Sequence, residues 1–356
     1  MIVLGVLCMP AVGQMKADDW NNKGKVLYNQ GNYAEAIVAF DEAISLDPDY
    51  TKAWVNKGSA LQAQGKYDQA NKAFDEAIRL DPEYAVAWYN KGNALKDQGK
   101  YDKAIEAYDA ATRLGLDNAY AWNNKGLALK AQGKYDEAIQ AYNEAIGLDP
   151  NYATAWRNKG EALDEQGNYA DAVKCYDEAI RIDPNYAKAW YDKGAALEGQ
   201  GNYADAIKCY DEAIRIDPNY AHAWNGKGNA LSKQGNYAGA IKCYDEAIRL
   251  DPNYALAWDG KGDALHRQGN YADAIKSFDE AIRLDPNDGD TWYAKGLALN
   301  DQGNYADAIK CFDEAIRLDP NDAYAWYGKG FVLNELGYSA ESEAAFNKAR
   351  ELGYNG

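Results

Sequence analysis

Small and apolar residues recur along this chain at helical spacing, in blocks of two kinds that alternate. In residues 85–98, Ala87 and Gly92 fall on one side of a helix when each residue turns the chain by 100°. Gly99 can end that helix in a left-handed conformation, and residues 101–114 then begin a second helical pattern. The pattern predicts an all-α fold built from pairs of helices.

Every tryptophan of the chain falls in one register, each 34 residues after the last. They are Trp20, Trp54, Trp88, Trp122, Trp156, Trp190, Trp224, Trp258, Trp292 and Trp326. A rare residue does not take a single register by chance, so residues 17–356 are a tandem array of ten copies of one unit. Below, repeat positions are counted with Ala17 as position 1. Most copies carry Asp-Pro after their second helix, because proline cannot continue a helix but can lie near the start of the next one.

The residues shared by these copies resemble the tetratricopeptide repeat. In the third copy they are Trp88, Gly92, Leu95, Gly99, Tyr101, Ala104, Tyr108 and Ala111, with Pro82 and Pro150 at equivalent junctions. The resemblance implies an all-α, right-handed α-solenoid: antiparallel helix pairs stack into a superhelix whose first helices line a concave groove. Such proteins usually serve as protein-binding scaffolds. The last copy, residues 323–356, carries Ser342, Glu343 and Arg350 at usually apolar positions, as expected of a degenerate capping repeat.

One position departs from the family pattern in every copy. Position 7, where the packing face usually carries leucine, is a lysine from Lys23 through Lys329. We interpret its stem as packed and its ammonium as paired with an acid, because an unpaired buried charge is costly. The alternative is a ladder of cations that addresses an acidic ligand. The expected partners at position 25 are Asp41, Asp75, Asp109, Asp177, Asp211, Asp245, Asp279 and Asp313, with Asn143 and Asn347 in the other copies.

The opposite side of the first helix, positions 2, 5, 6, 9 and 13, varies between copies and is the candidate binding surface. Position 6 is asparagine in the first five copies, namely Asn22, Asn56, Asn90, Asn124 and Asn158. A row of carboxamides can pair with the backbone of an extended chain whatever its side chains are. This row resembles the asparagine ladder of O-linked N-acetylglucosamine transferase, which grips extended polypeptide. The alternative is an asparagine inherited by duplication that stays solvated.

Further candidates for peptide binding lie on the same side of the first helices. They are Tyr89, Asn93, Arg157 and Tyr191. From the sixth copy onward position 6 loses its amide and carries Asp192, Gly226, Gly260, Ala294 and Gly328. Tyrosines at the last position of several copies either line this surface or fill the joint between copies. Examples are Tyr84, Tyr152, Tyr186 and Tyr220.

Composition and charge exclude several classes of function. The net charge of −17 and the pI near 4.6 argue against binding to nucleic acid, which needs a basic stripe. Four cysteines share one repeat position with alanine or serine and are expected to be free thiols in a packing slot: Cys175, Cys209, Cys243 and Cys311. His222 and His266 have no metal-ligand spacing, and no glycine-rich phosphate loop is present. We therefore expect no enzymatic activity and no cofactor.

Residues 1–16 are apolar and lie outside the repeat. Ala11 and Gly13 before Gln14 are similar to the end of a secretory signal, although the positively charged start is missing. A truncated signal peptide, and with it an extracytoplasmic location, is slightly favoured over an ordinary leader. No stretch is long enough to span a membrane as a helix.

Together these features predict a non-catalytic protein–protein interaction scaffold that binds an extended polypeptide in its groove. Two alternatives remain: a structural array that associates end to end through its near-identical copies, and a targeting subunit of a catalytic partner. The identity of the partner is beyond the sequence.

Overall fold

The computed structural model describes residues 15–354 and, within them, twenty α-helices and no strand. They divide into two compact units between Gly167 and Asn168. The first unit holds α1 (Ala17–Asn29), α2 (Tyr33–Leu46), α3 (Thr51–Ala63), α4 (Tyr67–Leu80), α5 (Ala85–Asp97), α6 (Tyr101–Arg113), α7 (Ala119–Ala131), α8 (Tyr135–Leu148) and α9 (Ala153–Glu165). The second holds α10 (Tyr169–Ile182), α11 (Ala187–Gly199), α12 (Tyr203–Ile216), α13 (Ala221–Lys233), α14 (Tyr237–Leu250), α15 (Ala255–Arg267), α16 (Tyr271–Leu284), α17 (Gly289–Asp301), α18 (Tyr305–Leu318), α19 (Ala323–Glu335) and α20 (Ser339–Glu351). The expected helix pairs are confirmed, and the signal-peptide prediction lies outside the described residues.

The turn inside each helix pair is set by one glycine. Gly99 has a φ of 76°, a conformation that side chains disfavour, and it lies between the end of α5 and the start of α6. The N–H of Gly99 donates to the carbonyl of Lys96, and the N–H of Lys100 donates to the carbonyl of Leu95. These bonds close the last turn of α5 and let the chain reverse within a few residues.

The two helices of a pair meet at a glycine and an aromatic ring. A Cβ built on Gly92 of α5 would lie 2.7 Å from Cε1 of Tyr108 in α6, so only hydrogen fits there. Tyr108 is fully buried, as are the residues at position 24 of eight other second helices. These are Phe40, Phe74, Tyr142, Tyr176, Tyr210, Tyr244, Phe278 and Phe312. In α20 the equivalent Phe346 is half-buried.

Contacts between repeats give each unit two different faces. Within each unit, a second helix packs on the next first helix, and successive first helices also contact one another, as α3 contacts α5 and α13 contacts α15. Second helices contact no other second helix within the described part of either unit. We call the surface of the adjoining first helices the first-helix face, and the surface of the separated second helices the second-helix face.

The last described repeat departs from its predicted exposure at one residue. Glu343 and Arg350 are exposed, as expected for a capping repeat, but Ser342 is buried. The Ser342 hydroxyl donates to the carbonyl of Gly330 at 2.8 Å, so the polar group is satisfied inside the pair rather than by water. Within residues 15–354, no helix is long and apolar enough to cross a membrane.

Candidate functional site

The lysine at position 7 lies in the seam between neighbouring repeats, as the sequence predicted. Nζ of Lys193 lies 2.6 Å from Oδ1 of Asp177 and 5.6 Å from the centroid of the Trp190 ring. The same ion pair recurs through both units. The pairs are Lys57–Asp41, Lys91–Asp75, Lys125–Asp109, Lys193–Asp177, Lys227–Asp211, Lys261–Asp245, Lys295–Asp279 and Lys329–Asp313. Each lysine pairs with an aspartate of the preceding repeat, as expected if its role is structural.

The tryptophans are half-buried, and each of eight indoles makes a hydrogen bond that the sequence did not predict. Nε1 of Trp190 donates to the carbonyl of Pro184, six residues earlier, at 3.1 Å. A buried indole N–H needs an acceptor, and the proline carbonyl at the preceding junction supplies one. Trp122 follows Leu116 instead of a proline, and no such bond is found there among the described residues. The proline thus closes one helix and also anchors the next.

In the first unit, the amides of the first-helix face bond to one another. The Tyr50 hydroxyl donates to Oδ1 of Asp18 at 2.6 Å and accepts from Nδ2 of Asn21 at 3.2 Å. Asn21 in turn accepts from Nδ2 of Asn56, in the next repeat, at 2.8 Å. A chain of hydrogen bonds therefore joins two repeats across this face.

A second network occupies the third and fourth repeats. Nδ2 of Asn124 donates to Oδ1 of Asn93 at 3.0 Å and lies 3.4 Å from the Tyr89 hydroxyl. Oδ1 of Asn93 also accepts from the buried Tyr108 hydroxyl at 2.8 Å. The structure thus brings together three of the predicted site residues, Tyr89, Asn93 and Asn124.

A third network is buried. Nδ2 of Asn158 donates to Oδ1 of Asn123 at 2.9 Å, and Arg157 donates to Oδ1 of Asn158 at 3.2 Å. Arg157 also lies 3.5 Å from Glu161, which pairs with Lys130 at 2.9 Å. Arg157 and Asn158 are only 6% and 3% exposed.

The row of asparagines is therefore not the uniform open track that the sequence suggested. Asn22 is exposed, Asn56, Asn90 and Asn124 are half-buried, and Asn158 is buried. The expected exposure is wrong for Asn158, because position 6 abuts the preceding repeat, and for Arg157, whose side chain lies against Asn158 and Glu161. Peptide binding by any of these residues stays a prediction.

In the second unit, glycine at position 6 also lies against the preceding repeat. A Cβ on Gly226 would lie 2.7 Å from Cζ of Tyr210, and one on Gly260 would lie 2.7 Å from Cζ of Tyr244. In each case the ring belongs to the preceding repeat. Loss of the amide in these copies therefore follows from closer packing between repeats.

An aromatic cluster lies on the first-helix face of the second unit, where it includes the predicted site residue Tyr191. The Tyr191 ring centroid lies 5.2 Å from that of Tyr220 and 6.5 Å from that of His222. His222 in turn lies 4.9 Å from Tyr254. The last-position tyrosines therefore line the surface as well as the joint, since Tyr220 and Tyr254 each precede the next first helix. In the first unit Tyr152 likewise lies 4.9 Å from Tyr120.

Asp259, in the repeat that follows this cluster, is an acid with a raised pKa. Burial first, and then the carboxylates of Asp288, Asp263 and Asp290, raise the pKa of Asp259 to about 6, against a lowering by the Thr291 hydroxyl at 3.1 Å. Sequence reasoning missed Asp259, although it is the one acid at a position that otherwise carries aromatic, amide and aliphatic residues and Arg157.

The four described cysteines are buried, and His266 is paired with an acid. Cys175, Cys209, Cys243 and Cys311 are buried free thiols, as predicted, and burial raises the pKa of Cys209 to about 11. Nε2 of His266 lies 2.8 Å from Oδ2 of Asp301. No group of three or more potential metal ligands is found within residues 15–354.

The second-helix face, by contrast, repeats the same solvated ion pairs. Nε of Arg215 donates to Glu212 at 2.8 Å, and Lys208 donates to Asp205 at 2.8 Å. Equivalent arginine–glutamate pairs follow in the next repeats. They are Arg249–Glu246, Arg283–Glu280 and Arg317–Glu314. Within the second unit, differences between these repeats are thus concentrated on the first-helix face.

Comparison with protein families agrees with this architecture. A family model described as Tetratricopeptide repeat matches residues 21–85, 55–95, 89–153, 157–221 and 225–289. A second model of that description matches residues 277–310, and one described as TPR repeat matches 296–337. The chain belongs to the tetratricopeptide repeat family. Proteins of this family are generally interaction modules without catalytic activity.

Solved structures of other tetratricopeptide proteins are similar over part or most of the chain. YrrB, described as a TPR protein with an unusual peptide-binding site, is 25% identical, with a TM-score of 0.46 over 53% of this chain and 97% of its own. MamA is 26% identical, with a TM-score of 0.42 over 45% of this chain and 94% of its own. Yeast Tom70 is 15% identical, with a TM-score of 0.49 over 95% of this chain and 92% of its own. No curated protein matches the chain.

Proposed function

We propose that this protein is a non-catalytic scaffold that binds an extended polypeptide along its first-helix face. The observation that carries the proposal is the contrast between the two faces. In the second unit, the second-helix face presents the same arginine–glutamate pairs in repeat after repeat, whereas the first-helix face presents different rings, amides and acids. Selective recognition requires variation, so the first-helix face is the surface suited to a partner.

The chemistry of this face suits an extended chain. Half-exposed rings, such as those of Tyr120 with Tyr152 and Tyr191 with Tyr220, offer flat apolar area with hydroxyl groups at the edge. Half-buried amides such as Asn90 offer both a donor and an acceptor to a peptide backbone. Because the first helices contact one another, these groups follow a continuous path within each unit.

The reactive side chains support a non-catalytic role. Burial raises the pKa of the Cys209 and Cys311 thiols to about 11, the opposite of what an activated thiolate requires. The buried Tyr108 and Tyr244 hydroxyls also have raised pKa values, caused first by burial, and both donate to asparagines of their own repeats. These shifts are explained by packing around the helix pairs.

Photocrosslinking tests the location of the binding surface. The whole protein would be panned against a random dodecapeptide library, and the enriched peptides would be crosslinked to variants carrying benzoylphenylalanine at Tyr120 or Tyr324. Both tyrosines lie on first helices and are 56% and 63% exposed. Tyr338 is 54% exposed, lies in the turn before α20 and serves as the matched control.

We expect crosslinks at Tyr120 or Tyr324 that exceed those at Tyr338. Equal crosslinking at Tyr338, or a library without enriched peptides, would overturn the proposal. A molecular size that grows with protein concentration in the absence of peptide would instead support the self-associating array. Co-purification with an enzyme would support a targeting subunit.

A further inference from the structure

The aromatic cluster of the second unit joins two consecutive repeats. Tyr191, Tyr220, His222 and Tyr254 form a chain of ring contacts of 5.2, 6.0 and 4.9 Å. His222 is exposed, and the three tyrosines are half-buried. The π faces of aromatic rings carry negative potential, so an accessible group of rings attracts a cation.

Carboxylates surround this cluster. Asp192 and Glu198 both act on the Tyr191 hydroxyl, and the pKa of Tyr191 is raised to about 12 by burial first and by Tyr254 and these acids next. Glu198 accepts a hydrogen bond from Tyr210 at 3.0 Å, and burial raises its own pKa. The Tyr191 end of the cluster therefore lies beside two carboxylates as well as presenting negative ring faces, and Lys233 is the cation that acts on Glu198.

Asp259, in the following repeat, has no cationic partner within the described residues. Its carboxylate accepts a hydrogen bond from the Thr291 hydroxyl, and the ionisable groups that act on it are Asp288, Asp263 and Asp290. An ionised acid with only acidic neighbours is stabilised by any cation that approaches it.

A buried amide beside the same rings also lacks a partner. Asn225 is 7% exposed and hydrogen bonds with Tyr254. Its Oδ1 accepts no hydrogen bond from the part of the chain that the structure describes. A buried acceptor without a donor is unfavourable, so an arriving N–H group would be stabilised here.

We propose that the surface formed by Tyr191, Tyr220, His222 and Tyr254, together with Asp259 on the first helix of the following repeat, binds an arginine or lysine side chain of the polypeptide partner. The proposal rests on the proposed function and names the chemistry of its guest. Charge complementarity selects this occupant: ring faces and an unpaired carboxylate favour a cation and disfavour an acidic segment.

The first unit differs at the corresponding surface. There, Arg157 and Lys130 both lie within ion-pair distance of Glu161, so the buried charges are already compensated. We therefore assign the cation-binding surface to the second unit alone.

Two peptides test the assignment. The probes are a fluorescein-labelled peptide of alternating arginine and serine and a copy in which citrulline, neutral and similar in shape, replaces arginine. The arginine peptide is expected to bind the whole protein at least about threefold more tightly, the effect of a cation over aromatic rings. Equal affinity for the two peptides would overturn the assignment.

Matched variants locate the effect. Tyr254→Leu removes a ring without changing charge, and Tyr84→Leu makes the same change at the same repeat position in the first unit. Asp259→Asn removes one negative charge, and Glu83→Gln does so at an exposed residue of the first unit. Tyr254→Leu and Asp259→Asn are each expected to weaken the arginine peptide about 3- to 10-fold, and the two controls less than about twofold.

The outcomes separate this inference from the proposed function. Equal losses in the site variants and in their controls would mean general attraction to an acidic protein and would overturn the inference. Enriched neutral peptides that crosslink at Tyr120 or Tyr324 would overturn it while the proposed function stands. Absence of any peptide binding would overturn both. Circular dichroism checks folding, and if Tyr254→Leu unfolds, His222→Ala at an exposed residue replaces it, with the same weakening expected.

Discussion

Nζ of Lys193 lies 2.6 Å from Oδ1 of Asp177, so a first helix is tied to the second helix of the repeat before it. The lysine side chain is 20% exposed and the aspartate 52%. The pair is thus partly screened by water, and its ammonium also lies near the Trp190 ring. It belongs to the seam between repeats and lies away from the first-helix face.

Replacing Lys193 tests whether the ion pair between repeats contributes to peptide binding. Lys193→Leu should change the free energy of unfolding by less than about 1 kcal/mol, because a partly exposed ion pair contributes little and leucine restores apolar packing. Affinity for the arginine peptide should stay the same. Denaturation and fluorescence anisotropy would measure the two, and lost binding with intact stability would contradict the structural role of the lysine.

Asn143 offers the converse change. Lys159 is the equivalent of Lys193, but the preceding repeat carries Asn143 where others carry aspartate. Asn143→Asp should form the missing ion pair and raise the free energy of unfolding by about 0.2–1 kcal/mol. A double-mutant cycle with Lys159→Leu isolates the pair, since the gain should vanish in that background. A gain of equal size without the lysine would show that the aspartate acts in another way.

Two glycine-to-alanine changes should have opposite effects. A Cβ on Gly194 would lie 2.8 Å from Cε1 of the fully buried Tyr210, so Gly194→Ala should destabilise by about 1–3 kcal/mol. Gly147 lies in α8, and a Cβ added there would meet no neighbouring atom within 4 Å, so Gly147→Ala should stabilise by up to about 1 kcal/mol. Thermal unfolding of both variants gives the comparison. A harmless Gly194→Ala would show that the helix pair can open around the ring.

Asp259 predicts a pH dependence of stability. Burial first, and then Asp288, Asp263 and Asp290, raise its folded pKa from 3.8 to about 6, opposed by the Thr291 hydroxyl. The folded state therefore holds the proton more tightly than the unfolded state, and stability falls as pH rises from about 4 to about 6. Below that window the penalty is absent, and above it the penalty is complete.

Asp259→Asn should remove this penalty. Relative to the parent protein, the variant should gain about 1–3 kcal/mol between pH 4 and pH 7, with the smaller values expected because the residue is partly exposed. Urea unfolding at both pH values, with Glu83→Gln as an exposed control, measures the gain. The same gain at pH 4 and pH 7 would refute the raised pKa.

The sequence predicted the features that repeat. The helix pairs and the pairing of Lys193 with Asp177 both follow from residue types that recur at constant spacing. The bond from Trp190 to the Pro184 carbonyl was also within reach, because the spacing of six residues recurs wherever the proline is present.

Burial of Asn158 could not be predicted in the same way. Helical phase tells which residues of one helix share a side, but the rotation between neighbouring repeats decides which of them meets the preceding repeat. Asn158 reaches Asn123 of that repeat, and Gly226 lies against Tyr210 for the same reason. The contacts that distinguish one repeat from another therefore required the three-dimensional structure.

The pairing of the position-7 lysine with the preceding copy affects how the array can gain or lose copies. Most copies carry the cation for the copy before them and the carboxylate for the copy after them, as Lys227 pairs with Asp211 while Asp245 pairs with Lys261. Unequal recombination that removes or adds one 34-residue copy of this kind leaves the new junction with matching partners. Selection can therefore change the length of the array, and with it the number of side chains offered to a guest, without first repairing the joints.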